Sequence, residues 1–177
     1  MKRYVPIIIG VVALCAILYL GSNRLNSNDE NITKDEVKSE VTSKSFQGSV
    51  TKVFEGDNTL LYGFDIGATA TATVAMDGAL VKVTDNDAPV LAMYVSFEGG
   101  RGYSPMDYIT NNIIPKVSNA VVTGTTTIGV NEWTVVESKN SVWHVRSVAE
   151  GKWLVVMENT KVGAEKANAI IETFSTK

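Results

Sequence analysis

Between residues 46 and 158 the chain breaks into short β-prone runs, each closed by residues that favour turns. This punctuation restricts it to strands that pair with their chain neighbours. SVTKVF (49–54) and LLYGFDI (60–66) read as strands around a turn at Gly56-Asp57-Asn58. Alternation becomes visible across ATATATVAM (68–76), and Asp77-Gly78 then predicts a tight hairpin, because both central residues of the favoured turn need positive φ. ALVKV (79–83) follows as a strand. Asp85-Asn86-Asp87 is a second turn, with Pro89 at the lip of VLAMYVSF (90–97). The result is an antiparallel meander.

Two segments carry the other periodicity. In EGGRGYSPMDYITNNIIPKV (98–117), Ser104 is placed as N-cap, Pro105 at the first helical position and Asp107 three beyond the cap. Met106, Ile109 and Ile113 share one face of this helix, and Pro115 limits it. Three more strands, EWTVVES (132–138), SVWHVRSV (141–148) and KWLVVME (152–158), precede a closing helix. In that helix Val162, Ala167, Ile170, Ile171 and Phe174 repeat at helical spacing. The expected class is therefore α+β, with a central antiparallel sheet, a mid-chain helix and a C-terminal helix.

Ahead of this domain lies a membrane-directed segment. Lys2 and Arg3 precede YVPIIIGVVALCAILYLG (4–21), an uncharged run long enough, at about 1.5 Å per helical residue, to nearly cross a bilayer. Leu20 and Ser22 match a signal-peptidase site poorly, so a retained transmembrane anchor is favoured over secretion after cleavage. Cys15 follows bulky Leu14, which disfavours lipidation. The basic flank puts the N-terminus in the cytoplasm and the bulk of the chain outside. Residues 22–45 are polar and charged, with too few apolar side chains to bury, and read as a flexible linker; the folded domain is expected over 46–177.

Composition then narrows the partners. The whole chain carries a formal −3, and setting aside Lys2 and Arg3 leaves −5 on the exterior part. An acidic balance without clustered Lys and Arg argues against nucleic acid. The exterior part has no cysteine, so no disulfide supports it and a packed core must suffice.

Candidates for chemistry are few. His144, the sole histidine, shares a strand face with Val142, Arg146 and Val148, opposite Trp143, Val145 and Ser147. Trp143 marks the expected core face, so His144 is expected on the wetter one, as a surface strand residue. No GxSxG elbow supplies a nucleophile, and no histidine–cysteine set supplies a zinc site, so no catalytic residue, metal or cofactor is expected. Asp85 and Asp87 are too few for calcium and are explained by the turn. Glu158 and Glu165 show no sign of meeting. The corner from Gly99 to Ser104 is expected to be a capped strand-to-helix turn. Its alternative is a small-ligand or anion site built from Arg101, Gly102, Tyr103 and Ser104, with His144 as a further polar contact. Trp133, Trp143 and Trp153 recur at a spacing of ten residues and are expected in the core, where paired strands could cluster them.

The order of these elements resembles a known group. LYGFDI (61–66), the glycine before the tryptophan strand in IGVNEWTVVES (128–138), the last hairpin and a terminal helix ending in IIETF together look like the PsbP-like family, over about residues 58–175. The chain departs from that pattern after Tyr62-Gly63-Phe64, where Ala68-Thr69-Ala70 stand in place of the usual proline and tryptophan. The resemblance implies an α/β/α sandwich and a place outside the cytoplasmic membrane. It also implies a non-catalytic accessory subunit that binds a membrane protein complex. It implies no photosynthetic role.

Overall fold

The computed structural model describes residues 43–52, 58–98 and 104–177. The apolar N-terminal run, residues 22–42 of the expected linker 22–45, Gly56-Asp57 and the corner residues Gly99, Arg101, Gly102 and Tyr103 lie outside the described residues, and residues 43–45 of that expected linker are instead part of the first strand. Among the described residues no helix is long and apolar enough to cross a membrane.

The strands divide into two sheets. One holds β1 (Ser43–Lys52), β2 (Asn58–Gly67) and the short β10 (Ser175–Thr176), in the order β1-β2-β10. The other holds β3 (Ala70–Ala75), β4 (Leu80–Asp85), β5 (Ala88–Phe97), β6 (Val121–Ile128), β7 (Asn131–Glu137), β8 (Ser141–Val148) and β9 (Trp153–Thr160). Its order is β3-β4-β5-β9-β8-β7-β6, so the two meanders β3–β5 and β6–β9 meet along the β5–β9 seam. Every pairing is antiparallel. Among the described residues the fold is thus sheet-rich, with two helical segments. The single continuous meander expected from the sequence is corrected: β1 and β2 leave it to pair with the C-terminal β10. Strand β6 was not among the expected ones, since its VVTGTTTI sequence is β-branched but carries almost no apolar alternation.

Local chemistry sets the turns. Asn86 and Asp87 both have positive φ between β4 and β5, as the turn residues there require. Met76, Asp77 and Gly78 are likewise left-handed, which places the expected β3–β4 hairpin where Asp77-Gly78 marked it. Helix α1 (Pro105–Tyr108) begins at a full capping box. Ser104 Oγ accepts from the Asp107 N–H at 3.1 Å, and an Asp107 carboxylate oxygen accepts from the Ser104 N–H at 3.1 Å. The helix continues as a π-turn, Ile109–Ile113. The buried face is made by Tyr108, Ile109 and Ile113, while Met106 points to solvent, a correction to the expected stripe. Helix α2 (Ala164–Glu172) starts after a 3₁₀ turn that leaves Val162 fully exposed, so Val162 is not part of its apolar face.

Packing covers the large sheet on both sides. On one face Val81, Val83, Met93, Trp133, Val155 and Met157 pack with the inward residues of β2 and with Ala167, Ile170, Ile171 and Phe174 of the C-terminal segment. On the other face Val136, Trp143, Val145, Leu154 and Val156 pack under α1. The three tryptophans are all core residues, 0%, 6% and 3% exposed for Trp133, Trp143 and Trp153. They do not form one cluster, because Trp143 belongs to the α1 side and the other two to the α2 side.

Helix α2 is gripped at both ends. Thr173 Oγ accepts the Asp65 N–H of β2, and Asn131 Nδ2 donates to the Phe174 carbonyl at 2.8 Å within the core. Lys166 is paired with Asp85 at the β4–β5 turn. The β3–β4 turn is seated on the small sheet: Tyr62 Oη donates to the Gly78 carbonyl at 2.7 Å, and a Cβ at Gly78 would run into the Ser49 carbonyl.

Gly78, with φ of +89°, has neither the conformation nor the room for a side chain. Gly78→Ala is expected to lower unfolding free energy by about 2 kcal/mol or more in urea titrations. Gly67→Ala, where nothing stands within 4 Å of an added Cβ, is expected to change it by less than about 0.5 kcal/mol.

Candidate functional site

The register of β8 determines where the single imidazole goes. His144 lies opposite Val135 of β7 and Met157 of β9, and therefore on the α2 side of the large sheet. The face assignment expected from alternation is correct, but that face is not wet. His144 is only 5% exposed, which overturns its expected place as a surface residue. An antiparallel sheet often leaves one face to solvent, and here α2 and the small sheet occupy it.

The imidazole lines a cleft of about 400 Å³ between the β6 edge of the sheet and the start of α2. Thr125, Thr126 and Ile128 of β6 form one wall, and Ala164 and Asn168 of α2 form the other. His144, Asn159 and Val135 lie deeper, with Glu137 beside them. Strand β6 contributes a bulge between Val122 and Gly124 at the same place. A second hollow, of about 210 Å³, lies over the small sheet between Gln47, Tyr62 and Thr173 and lacks any enclosed unpaired group.

What distinguishes the larger cleft is unmet hydrogen-bonding capacity. Asn159, 2% exposed, donates from Nδ2 to the Thr160 carbonyl at 3.0 Å, yet its Oδ1 is enclosed and accepts nothing among the described residues. His144 Nδ1 is enclosed and unpartnered in the same sense. A buried polar atom without a partner costs roughly 1–3 kcal/mol, so two neighbouring ones are a departure from ordinary packing.

Electrostatics keep the imidazole uncharged. Burial pulls the His144 pKa down to about 4, against a weaker upward pull from the Glu137 carboxylate. Glu137 itself is paired with Lys161 at 2.8 Å, across an exposed rim. Trp133 stands edge-on to the His144 ring, with centroids 6.4 Å apart, and the Arg146 guanidinium lies 5.4 Å over the Trp133 ring. Arg146 Nε and Nη1 are also enclosed without partners among the described residues, and burial lowers its pKa.

Ser104, the described member of the expected corner site, is elsewhere. It caps α1, which packs on the opposite face of the sheet from His144, so the two do not share a site. Its hydroxyl is fully engaged, donating to Asp107 Oδ2 at 2.7 Å while accepting from the Asp107 N–H. Glu158 and Glu165 likewise do not meet. Glu158 is buried beside Trp143 on the α1 side, its pKa raised by desolvation against hydrogen bonds from Trp143 and Ser141, whereas Glu165 is exposed on α2. Among the described residues no group of three His, Cys, Asp or Glu side chains could hold a metal ion. The residue that sequence reasoning missed is Asn159. Its position directly after Glu158, at the end of an apolar run, was the available signal, since polar side chains inside a buried strand require partners.

A buried neutral histidine links folding to pH. The unfolded chain takes up a proton near the ordinary value of 6.5, and the native chain resists until about 4. Stability is therefore undiminished above about pH 6.5, declines as pH falls toward 4, and loses no more from this group below that. Relative to His144→Gln, the wild type is expected to lose on the order of 3 kcal/mol between pH 7 and 4 in urea titrations. Taking the difference removes Glu158, whose raised pKa acts in the opposite direction.

No protein-family model matches the chain, and no curated protein does. Among solved structures it is similar to a crystal structure from Bacteroides thetaiotaomicron VPI-5482, at 12% identity and a TM-score of 0.44. The match covers 66% of this chain, which spans 45% of that one.

Proposed function

We propose that the chain is a membrane-anchored extracytoplasmic protein, with its N-terminus in the cytoplasm, whose folded domain acts by binding rather than turnover. In this reading the domain is PsbP-like, with α/β/α layering, and serves as an accessory subunit of a protein complex at the cell envelope. Support for the anchor comes from the uncharged run at 4–21, and support for an exterior location from the basic Lys2 and Arg3 ahead of that run.

The observation that carries binding over catalysis is the state of His144. An imidazole whose pKa is pulled to about 4 is a poor proton carrier near neutral pH, and unmatched polar atoms beside it suit recognition. The alternative, an anion receptor or enzyme at the corner from Gly99 to Ser104, gains nothing from Ser104, whose hydroxyl is committed to Asp107.

Two measurements test the reading together. Protease added to intact cells is expected to cut beyond residue 21 and release the folded domain, and chemical crosslinking in the native membrane is expected to join the chain to a discrete envelope protein. Protection from external protease, or crosslinking that repeatedly yields the chain alone, would overturn it.

A further inference from the structure

We propose that the cleft over His144 and Asn159 is a binding site for an uncharged polyhydroxyl ligand about the size of one pyranose ring. The proposal rests on the binding reading above and names what this site takes. At about 400 Å³ the cleft lies near the lower end of small-molecule sites, which run roughly 300–1,000 Å³.

Charge decides against ionic ligands. No lysine or arginine lines the cleft, its imidazole is neutral, and the Glu137 carboxylate on its wall is already paired with Lys161 at the rim, so an anion finds no unpaired counter-charge there. A cation meets a carboxylate already paired with Lys161, whose ammonium stands at the same rim. A neutral ligand remains.

Hydrogen-bond type then selects hydroxyls. Asn159 Oδ1 can only accept, whereas a neutral imidazole offers one donor and one acceptor nitrogen. The threonine hydroxyls of β6 and the Asn168 amide do both. A hydroxyl is the ligand group that gives and takes at once, and adjacent hydroxyls on a ring can serve neighbouring partners of different type. Ile128, Val135, Val142 and Ala164 supply the apolar surface that the C–H faces of such a ring bury. Both residues line the cleft, and their unpartnered atoms lie in its floor, behind the surface a ligand would meet. A ligand hydroxyl that partnered either atom would offset the cost of leaving it unmet.

The test uses the single histidine as its reporter, since its Cε1–H resonance is assigned by composition alone. The full chain, in a zwitterionic detergent without sugar headgroups, is titrated with glucose, N-acetylglucosamine and myo-inositol, then with phosphate and methylammonium. A saturable shift is expected with at least one polyol, with a Kd below about 10 mM, and none with either ion. Asn159→Leu is expected to weaken that polyol at least about tenfold. Thr126→Phe, on the exposed edge strand and so tolerant of folding, is expected to abolish the shift by filling the cleft. Equal binding of the methyl glycoside points to a glycan terminus as the source, and its loss to a free sugar.

No saturable shift with any polyol up to about 50 mM overturns the proposal, as does a shift that Thr126→Phe leaves unchanged or one produced by phosphate or methylammonium instead. Such a failure leaves the membrane-partner reading to its own crosslinking result.

Discussion

Strand β9 has no solvent face. From Trp153 to Asn159 every side chain is buried, odd positions against α2 and the small sheet, even positions against α1. A strand of this kind forces the sheet around it to be covered twice, because leaving either side open would expose Trp153, Val155 and Met157 or else Leu154 and Val156. The remaining architecture answers that demand. The C-terminal segment closes one face, held by the Asn131 to Phe174 and Asp65 to Thr173 hydrogen bonds, and the capped α1 closes the other.

Double coverage also explains why polar groups are found inside. Strands in a half-wet sheet can turn polar residues outward at every second position, whereas β8 and β9 have nowhere to turn them. His144 and Asn159 are consequently carried to the α2 side, and Glu158 to the α1 side. Glu158 finds hydrogen bonds from Trp143 and Ser141, while the first two retain unpartnered atoms at a cleft. The edge strand β6, exposed and threonine-rich, leaves that cleft open along one wall. Burial, neutrality of the imidazole and incomplete satisfaction thus share one cause, the burial of the sheet's centre.

Much of the scaffold was legible in the residues. The Asp77-Gly78 and Asn86-Asp87 turns, the Ser104-Pro105-Asp107 helix start, the three tryptophan strands and the inward residues of α2 all follow from local rules that tertiary contacts reinforce. What alternation could not convey was the second layer. It sorted His144, Arg146 and Val148 onto one face correctly, yet nothing local to β8 says that a helix some twenty residues later and strands from the other end of the chain will cover that face. The departure of β1 and β2 into their own sheet was hidden for the same reason, since their partner β10 is two residues at the far terminus. Strand β6 was obscured by its lack of apolar alternation. The cleft was the least legible feature, because it requires β6, Asn159 and α2 at once.

Coverage of both faces can be measured through the three tryptophans, since Trp143 reports on the α1 side and Trp133 and Trp153 on the α2 side. Acrylamide and iodide quenching of native tryptophan fluorescence is the most direct measurement. The two-sided account predicts blue-shifted emission with almost none of it quenchable. A readily quenched fraction of about one third, from Trp143, or about two thirds, from the other pair, would mean that one face of the sheet stands open to water and would contradict it.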